Sequence, residues 1–346
     1  MSEFRIDQIT NQSGSRGPDI AGITTFTGTS GMLMPSGPTE YRGGRGRGLF
    51  GGGITPANQT LIDSVIISTT GNAIDFGDLN YGRAIKDVGC SSSTRGMWGG
   101  GYIVGTGDSN AIDYVTISSG GTAFDFGDLN VATLRDGGKA CNSTRGVWAG
   151  GQVIPSTSPG STALIQYVTM ATLGNASDFG QLTVDRHDAQ GVQSPTRGVF
   201  GSWRTKTPTI LNLNTIDYIT IATLGDALDF GDLVEVATAN APSSNSIRGI
   251  WGGGQASVGN IIQYITIAST GNAQDFGDLN TSITEAAGTS NSTRSLFAGG
   301  NTPSGVINTI DSVTISTLGN AADFGDLSLA RRSLSGLSDA HGGLGD

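Results

Sequence analysis

The feature that most restricts this chain is a phrase that occurs six times. It is seen whole in Arg95-Gly96-Met97-Trp98-Gly99-Gly100-Gly101, a variable stretch, Ile112-Asp113-Tyr114-Val115-Thr116-Ile117, and then Asp125-Phe126-Gly127-Asp128-Leu129. Asp-Phe-Gly recurs at Asp75, Asp125, Asp178, Asp229, Asp275 and Asp323, in steps of 50, 53, 51, 46 and 48 residues. The arginine opening each unit keeps the same beat, at Arg47, Arg95, Arg145, Arg197, Arg248 and Arg294. A unit this short cannot bury an apolar face alone, so its copies must pack on one another. A period of about 50 residues carrying several short β patterns points to the blades of a propeller.

The chain of 346 residues is long enough for two ordinary domains, yet the repeat fills about residues 47–346. This argues for one closed array preceded by a segment, residues 1–46. Glycine supplies 56 residues and charged residues only 14%, against a usual glycine content of roughly 7%. That composition is turn-rich, weakly charged and all-β. A net charge of −10 argues against a nucleic-acid partner, since phosphate binding depends on clustered Lys and Arg. The start, Met1-Ser2-Glu3-Phe4-Arg5-Ile6-Asp7, carries charges where a signal peptide has its apolar core. No apolar run reaches the length of about 18 residues that would insert in a membrane. A soluble chain, or one delivered by an assembly, is expected. Cys90 and Cys141 occupy the same place in successive repeats; a bridge between adjacent blades is an option the fold does not require.

Residues 1–46 do not match the repeat and hold too few apolar residues for a core of their own. They read as an extended arm, flexible or pinned by a partner. The run Arg42-Gly43-Gly44-Arg45-Gly46-Arg47-Gly48 looks like a short RGG segment, but Arg47 already has its place in the repeat, so it reads as a hinge. Within each unit, pairs such as Met97-Trp98, Val147-Trp148 and Ile250-Trp251 end in small residues that stop a strand and let backbones approach. The next strand is expected at Ile62–Ile67, Ile112–Ile117, Ile165–Met170, Ile216–Ile221, Ile262–Ile267 and Ile310–Ile315. Its β-branched density suits a strand covered on both faces. Turn residues follow, among them Gly71-Asn72 and Gly174-Asn175. The polar, small stretches such as Arg83–Ser93 are read as the axis-proximal strand of the following blade. The chain ends on one such stretch, Leu327–His341, and the first repeat lacks one. The C-terminal strand is therefore expected to complete blade 1, giving six four-stranded blades.

This order resembles the kelch repeat: an innermost strand, a strand ending in Gly-Gly (Gly99-Gly100, Gly252-Gly253), a strand with a Tyr (Tyr114, Tyr167, Tyr218, Tyr264), and an outer strand with a large aromatic. Phe126 stands where kelch blades carry Trp. The wording of the repeats, Ile216-Asp217-Tyr218-Ile219-Thr220-Ile221-Ala222-Thr223 leading to Asp229-Phe230-Gly231-Asp232-Leu233, with Ser91–Gly96 before an opening, is similar to repeats in virion proteins of marine tailed phages, especially cyanophages. Arg5–Asn11 and Met34–Gly37 resemble the N-terminal segments of those proteins. The resemblance implies a tail, fibre or head appendage, located on the virion and assembled in the host cytoplasm. Residues 1–46 would meet other virion proteins, the propeller a host-surface glycan or protein, and the chain would form a homo-oligomer, a trimer being one form.

Asp-Phe-Gly evokes a kinase, but six copies without a strand Lys or a His-Arg-Asp loop remove that reading. The triple glycines lack the Lys-Ser/Thr of a phosphate loop. The two histidines, His187 and His341, support neither a transition-metal cluster nor the copper site of galactose-oxidase-like chemistry on a kelch-like frame. A paired-carboxylate glycosidase stays open as an alternative, as does a purely architectural connector. The reading taken is non-enzymatic, with no cofactor and no metal.

The six opening arginines (Arg47, Arg95, Arg145, Arg197, Arg248, Arg294) are expected to form structural ion pairs with repeat carboxylates (Asp75, Asp125, Asp178, Asp229, Asp275, Asp323). Calcium held by the Asp pairs, Asp75 with Asp78 and their equivalents, is the alternative. Function is sought where the repeats diverge, in the loops at residues 54–61, 102–111, 152–164, 204–215, 255–261 and 301–309. Tyr102, Trp203, Arg204 and Lys206 are the candidate binding residues. Trp203 breaks the triple glycine of repeat four and stacks on a sugar, faces a neighbouring subunit or fills a gap between blades.

Overall fold

The computed structural model describes residues 46–340 except 132–136, 153–159, 202, 206–210 and 256–258, with Trp203 described by its backbone only. The expected N-terminal arm and Lys206 lie outside these residues. The described chain is all-β, six four-stranded antiparallel sheets arranged as a propeller. Blade 2 shows the order from the axis outward: Gly89–Ser91, Arg95–Gly99, Ala111–Thr116 and Phe124–Asp128. Blade 1 is completed by the far end of the chain, since Ser335–Ser338 pairs with Arg47–Gly51. Ring closure thus uses main-chain hydrogen bonds between the two ends of the repeat array, as the half-unit at each end requires.

The second strand of each blade lies between two others and beneath the neighbouring blade, so everything after its arginine is buried. Its aromatic is the main apolar element of the interface. Trp98, Trp148, Trp251, Phe50 and Phe200 are fully buried. Burying rings of this size is the largest single apolar gain a residue offers. The indole N–H groups keep their bonds by donating to the preceding blade: Trp98 to the Ser335 carbonyl at 3.3 Å, Trp148 to Val88 at 2.9 Å and Trp251 to Gln190 at 3.1 Å. The small residue closing the strand makes room for the next blade's ring. A Cβ on Gly99 would lie 2.8 Å from the Trp148 ring.

Asp-Phe-Gly is a β-bulge. In blade 2 the register runs Ile112 to Gly127 and then Asp113 to Asp125, leaving Phe126 as the extra residue, and the same slip occurs at the same place in the other five blades. A bulge redirects one side chain and tightens the twist; here it turns Phe126 into the core, where it is 3% exposed. The following glycine meets the next blade. Gly127 has φ +144°, and a Cβ there would sit 2.5 Å from the Gly174 carbonyl. Around that contact Gly174 and Ala176 donate their amides to the carbonyls of Phe126 and Asp128. Equivalent amide pairs join all six interfaces, including Gly71 and Ala73 of blade 1 to Phe324 and Asp326 of blade 6.

At the axis the innermost strands come too close for side chains. A Cβ on Gly191 would lie 1.7 Å from the Lys139 carbonyl, and one on Gly288 would lie 2.0 Å from that of Pro242. What remains between them is a cavity of about 10 Å³, the size of a single water. Lys139 spans this region, donating to the Gly336 carbonyl at 2.6 Å and pairing with Asp87 at 3.2 Å. Cys90 and Cys141 lie in adjacent innermost strands, free and buried; the Cys141 sulfur accepts from the Ser91 amide at 3.4 Å.

Candidate functional site

Antiparallel blades send the loops between second and third strands, and the connections from each outermost strand to the next innermost one, to the same end of the propeller. The two sets are joined there. Ala84 bridges Tyr102, His187 bridges Arg204, Thr284 bridges Asn301 and Ile54 bridges Arg332. The divergent loops therefore stand on a braced base. Tyr102 is half-buried in a small hairpin, its carbonyl accepting from Ala84 and from the Asn58 side chain at 2.6 Å. Trp203 pairs through its backbone with Leu213.

Arg204 does not point outward as a loop cation. Its guanidinium bonds Asp188, which also pairs with Lys86 at 2.8 Å. Beside them the His187 imidazole lies 3.9 Å from Asp188, and Arg332 and the Ser333 hydroxyl meet Glu285 at 2.5 and 2.6 Å. Lys86 comes from the lead-in to blade 2 and Asp188 from that to blade 4, so this network ties together blades that are not neighbours in the ring. Burial works to raise both carboxyls, but Lys86 and Arg204 hold Asp188, and Lys86, Ser333 and Arg332 hold Glu285, below the ordinary carboxylate range. Asp87 differs. Its burial outweighs Lys139 and the Gly191 amide and pushes it up to about 7. The centre of the loop-bearing face is thus a buried polar network with both signs of charge internally matched.

The expected ion pairs of the opening arginines give way to another arrangement. Arg47 donates to the Ile117 carbonyl at 2.8 Å, Arg95 to Met170, Arg145 to Ile221 at 2.7 Å, Arg197 to Ile267 at 3.1 Å, Arg248 to Ile315 at 2.8 Å and Arg294 to Ile67 at 3.1 Å. Each acceptor is on the next blade, and the series closes on itself. Each guanidinium also lies over a ring of its own blade, as Arg95 does over Tyr114 at 4.6 Å. In blades 1 and 6, where Ser64 and Ser312 replace the Tyr, Arg47 and Arg294 use Phe76 and Phe324. The carboxylates of Asp75, Asp125, Asp178, Asp229, Asp275 and Asp323 are instead exposed on the outermost strands. The physical reason is that strand-end carbonyls and a ring face satisfy the cation without a buried carboxylate, whereas water solvates the aspartates.

Buried ion pairs do exist, between residues the repeat pattern did not single out. Arg83 meets Asp113 at 3.1 Å, Arg186 meets Asp217 at 2.7 Å and Arg331 meets Asp63 at 3.2 Å, all essentially fully buried. Burial lowers each guanidinium from its usual value, against the pull of its aspartate. The signal is the Ile-Asp that opens the third strand in four repeats, together with an arginine four residues after the leucine of three of the six Asp-Leu or equivalent pairs, at Arg83, Arg186 and Arg331. Among the described residues no three His, Cys, Asp or Glu converge as metal ligands do.

Fold and face together define a six-bladed β-propeller with a rigid, internally bonded frame and a loop-bearing face, an architecture compatible with a structural or binding role. No family model matches the chain, and the curated proteins contain no match to it.

Proposed function

We propose that this chain is a non-enzymatic appendage of a phage virion, anchored by residues 1–46 to other virion proteins and presenting its loop-bearing face to a glycan or protein of the host surface. The observation that carries the binding part is the contrast between a repeated frame and six divergent loops gathered at one end, around an axis filled to a cavity of about 10 Å³. An axis that tight admits no substrate, so recognition falls to the outer face and to grooves between blades. One such groove, about 420 Å³, runs between blades 5 and 6 and is lined by Gln255, Ser282, Thr284, Asn301, Thr302 and Pro303. Amide and hydroxyl groups beside a Pro ring suit a neutral saccharide. The assignment to a virion rests on the wording of the repeats and of residues 5–11, and we read the blades as kelch-like from the Gly-Gly, Tyr and opening Arg in their strand positions.

The test is binding of the purified full chain to host cells, with immunogold labelling of the particles. Saturable binding, competed by surface polysaccharide, supports attachment. Labelled particles without cell binding point to an architectural connector. Release of reducing ends from the polysaccharide would identify a depolymerase and overturn the non-enzymatic reading.

A further inference from the structure

Blade 6 lacks a group that three of its sister blades supply for themselves. In blades 1, 2 and 4 the buried arginine of the lead-in, Arg331, Arg83 or Arg186, reaches the aspartate near the start of the third strand. In blades 1 and 2 the same guanidinium also donates to the carbonyl of the residue facing that aspartate across the strands, Phe50 at 2.9 Å and Trp98 at 3.0 Å. The head of the connection adds further bonds to the carboxylate, from Ser328 to Asp63, Asn80 to Asp113 and Thr183 to Asp217. The result is a built receptor for a planar cation.

Blade 6 keeps every part of that receptor except the cation. Asp311 faces Phe297 in register and accepts from the Asn280 amide at 3.2 Å and its side chain at 2.8 Å. It is 9% exposed. At the arginine's place stands Ile283, whose carbonyl accepts from Gly254 as those of Arg83 and Arg331 accept from Gly53 and Gly300. The shorter side chain leaves a pocket of about 210 Å³, bounded by Asp311, Asp323, Asn280, Ile283, Phe297 and Ile307. Among the described residues no cation pairs with Asp311. Its burial, reinforced by Asp323, works against the bonds from Asn280 and leaves the carboxyl raised, as expected of an anion without its counter-charge.

We propose that this pocket binds a guanidinium group from outside the chain, seated between the Asp311 carboxylate and the Phe297 carbonyl where the sister blades place their own arginines. The planar fork matches a carboxylate, and Ile283, Phe297 and Ile307 would cover an attached methylene stem. The guanidinium belongs either to a free guanidino compound or to an arginine on a partner chain, and this inference does not depend on the virion reading.

The test is calorimetric titration of the full chain, at constant ionic strength, with ethylguanidinium, with ethylammonium, and with a short neutral-ended peptide carrying one arginine. Saturable binding of ethylguanidinium, at least about tenfold tighter than ethylammonium, supports the site and a small ligand. Binding of the peptide alone supports the site and assigns the group to a partner. Two variants separate the pocket from the rest of the acidic surface. Asp311→Asn is expected to weaken binding about tenfold or more. Ile283→Arg is expected to abolish it by filling the pocket from within, while melting at or above the wild-type temperature. Binding by none of the probes, or binding undiminished in a folded Ile283→Arg protein, overturns the proposal.

Discussion

Arg294 donates its Nη1 to the Ile67 carbonyl at 3.1 Å, and through this bond the last blade grips the first. Five equivalent arginines make the same reach to the blade ahead of them. Replacing Arg294 by Ala removes a charged hydrogen bond and a ring contact at the closing interface, and a loss of about 2 kcal/mol is expected. Arg294→Lys, which keeps charge but not the fork, should lose part of that. Urea denaturation measures both; an Arg294→Ala protein as stable as wild type would show that the main-chain pairing closes the ring alone.

The bulge glycines should be far less replaceable than the turn glycines facing them. A Cβ on Gly325 would fall 2.5 Å from the Gly71 carbonyl, whereas one on Gly71 meets nothing within 4 Å, although φ is +150° at Gly325 and +154° at Gly71. Gly325→Ala must therefore part blades 6 and 1 as well as strain the backbone, while Gly71→Ala carries the backbone cost alone, about 1–3 kcal/mol. Melting temperatures of the two variants should differ clearly, with Gly325→Ala the lower.

Trp98 combines an apolar body with one hydrogen bond, and two substitutions separate them. Trp98→Phe removes the donor to Ser335 and should cost about 1–2 kcal/mol. Trp98→Ala also empties a fully buried ring site and should cost about 3–5 kcal/mol. Equal losses from the two would mean that the ring contributes little beyond its N–H.

Asp87 makes stability depend on pH near neutrality. Its carboxyl is raised to about 7 in the folded chain, above the unfolded value of about 4. The folded state therefore binds the extra proton between those values, and this contribution is complete below about pH 4 and lost as pH rises through about 7. Asp188 and Glu285 are lowered and act oppositely, their contribution being present above the unfolded carboxylate range and lost in acid. Asp87→Asn, which keeps an acceptor for Lys139 and the Gly191 amide, should flatten the decline in melting temperature between pH 5 and pH 7.5. An unchanged slope would assign that decline to another group.

Much of the frame is legible in the sequence. The third strand was expected at Ile112–Ile117 and lies at Ala111–Thr116, because β-branched density reports a strand covered on both faces. The polar stretch after each outer strand did hold the innermost strand, as at Gly89–Ser91. The partners of the opening arginines are not legible in the sequence, because a shared spacing does not amount to contact. Arg95 and Asp125 share a period, yet the guanidinium has carbonyl and ring partners and the carboxylate has water. Neighbours in sequence mark Arg204 as a loop residue, but not that Asp188, sixteen residues earlier in the chain, binds its guanidinium.

The sequence by itself determined the number of blades, their four-strand order and the need for the chain's end to complete the first, since period and strand pattern are local properties summed six times. Only the tertiary structure decided what each repeated group does. It made Asp-Phe-Gly a bulge, because register between strands decides which residue is extra. It turned the opening arginines toward the next blade, because a cation's partner is chosen by proximity and solvation. It also showed that Ile283 leaves Asp311 without the cation its equivalents have, a difference of one side chain that acquires meaning only where four equivalent aspartates can be compared in place.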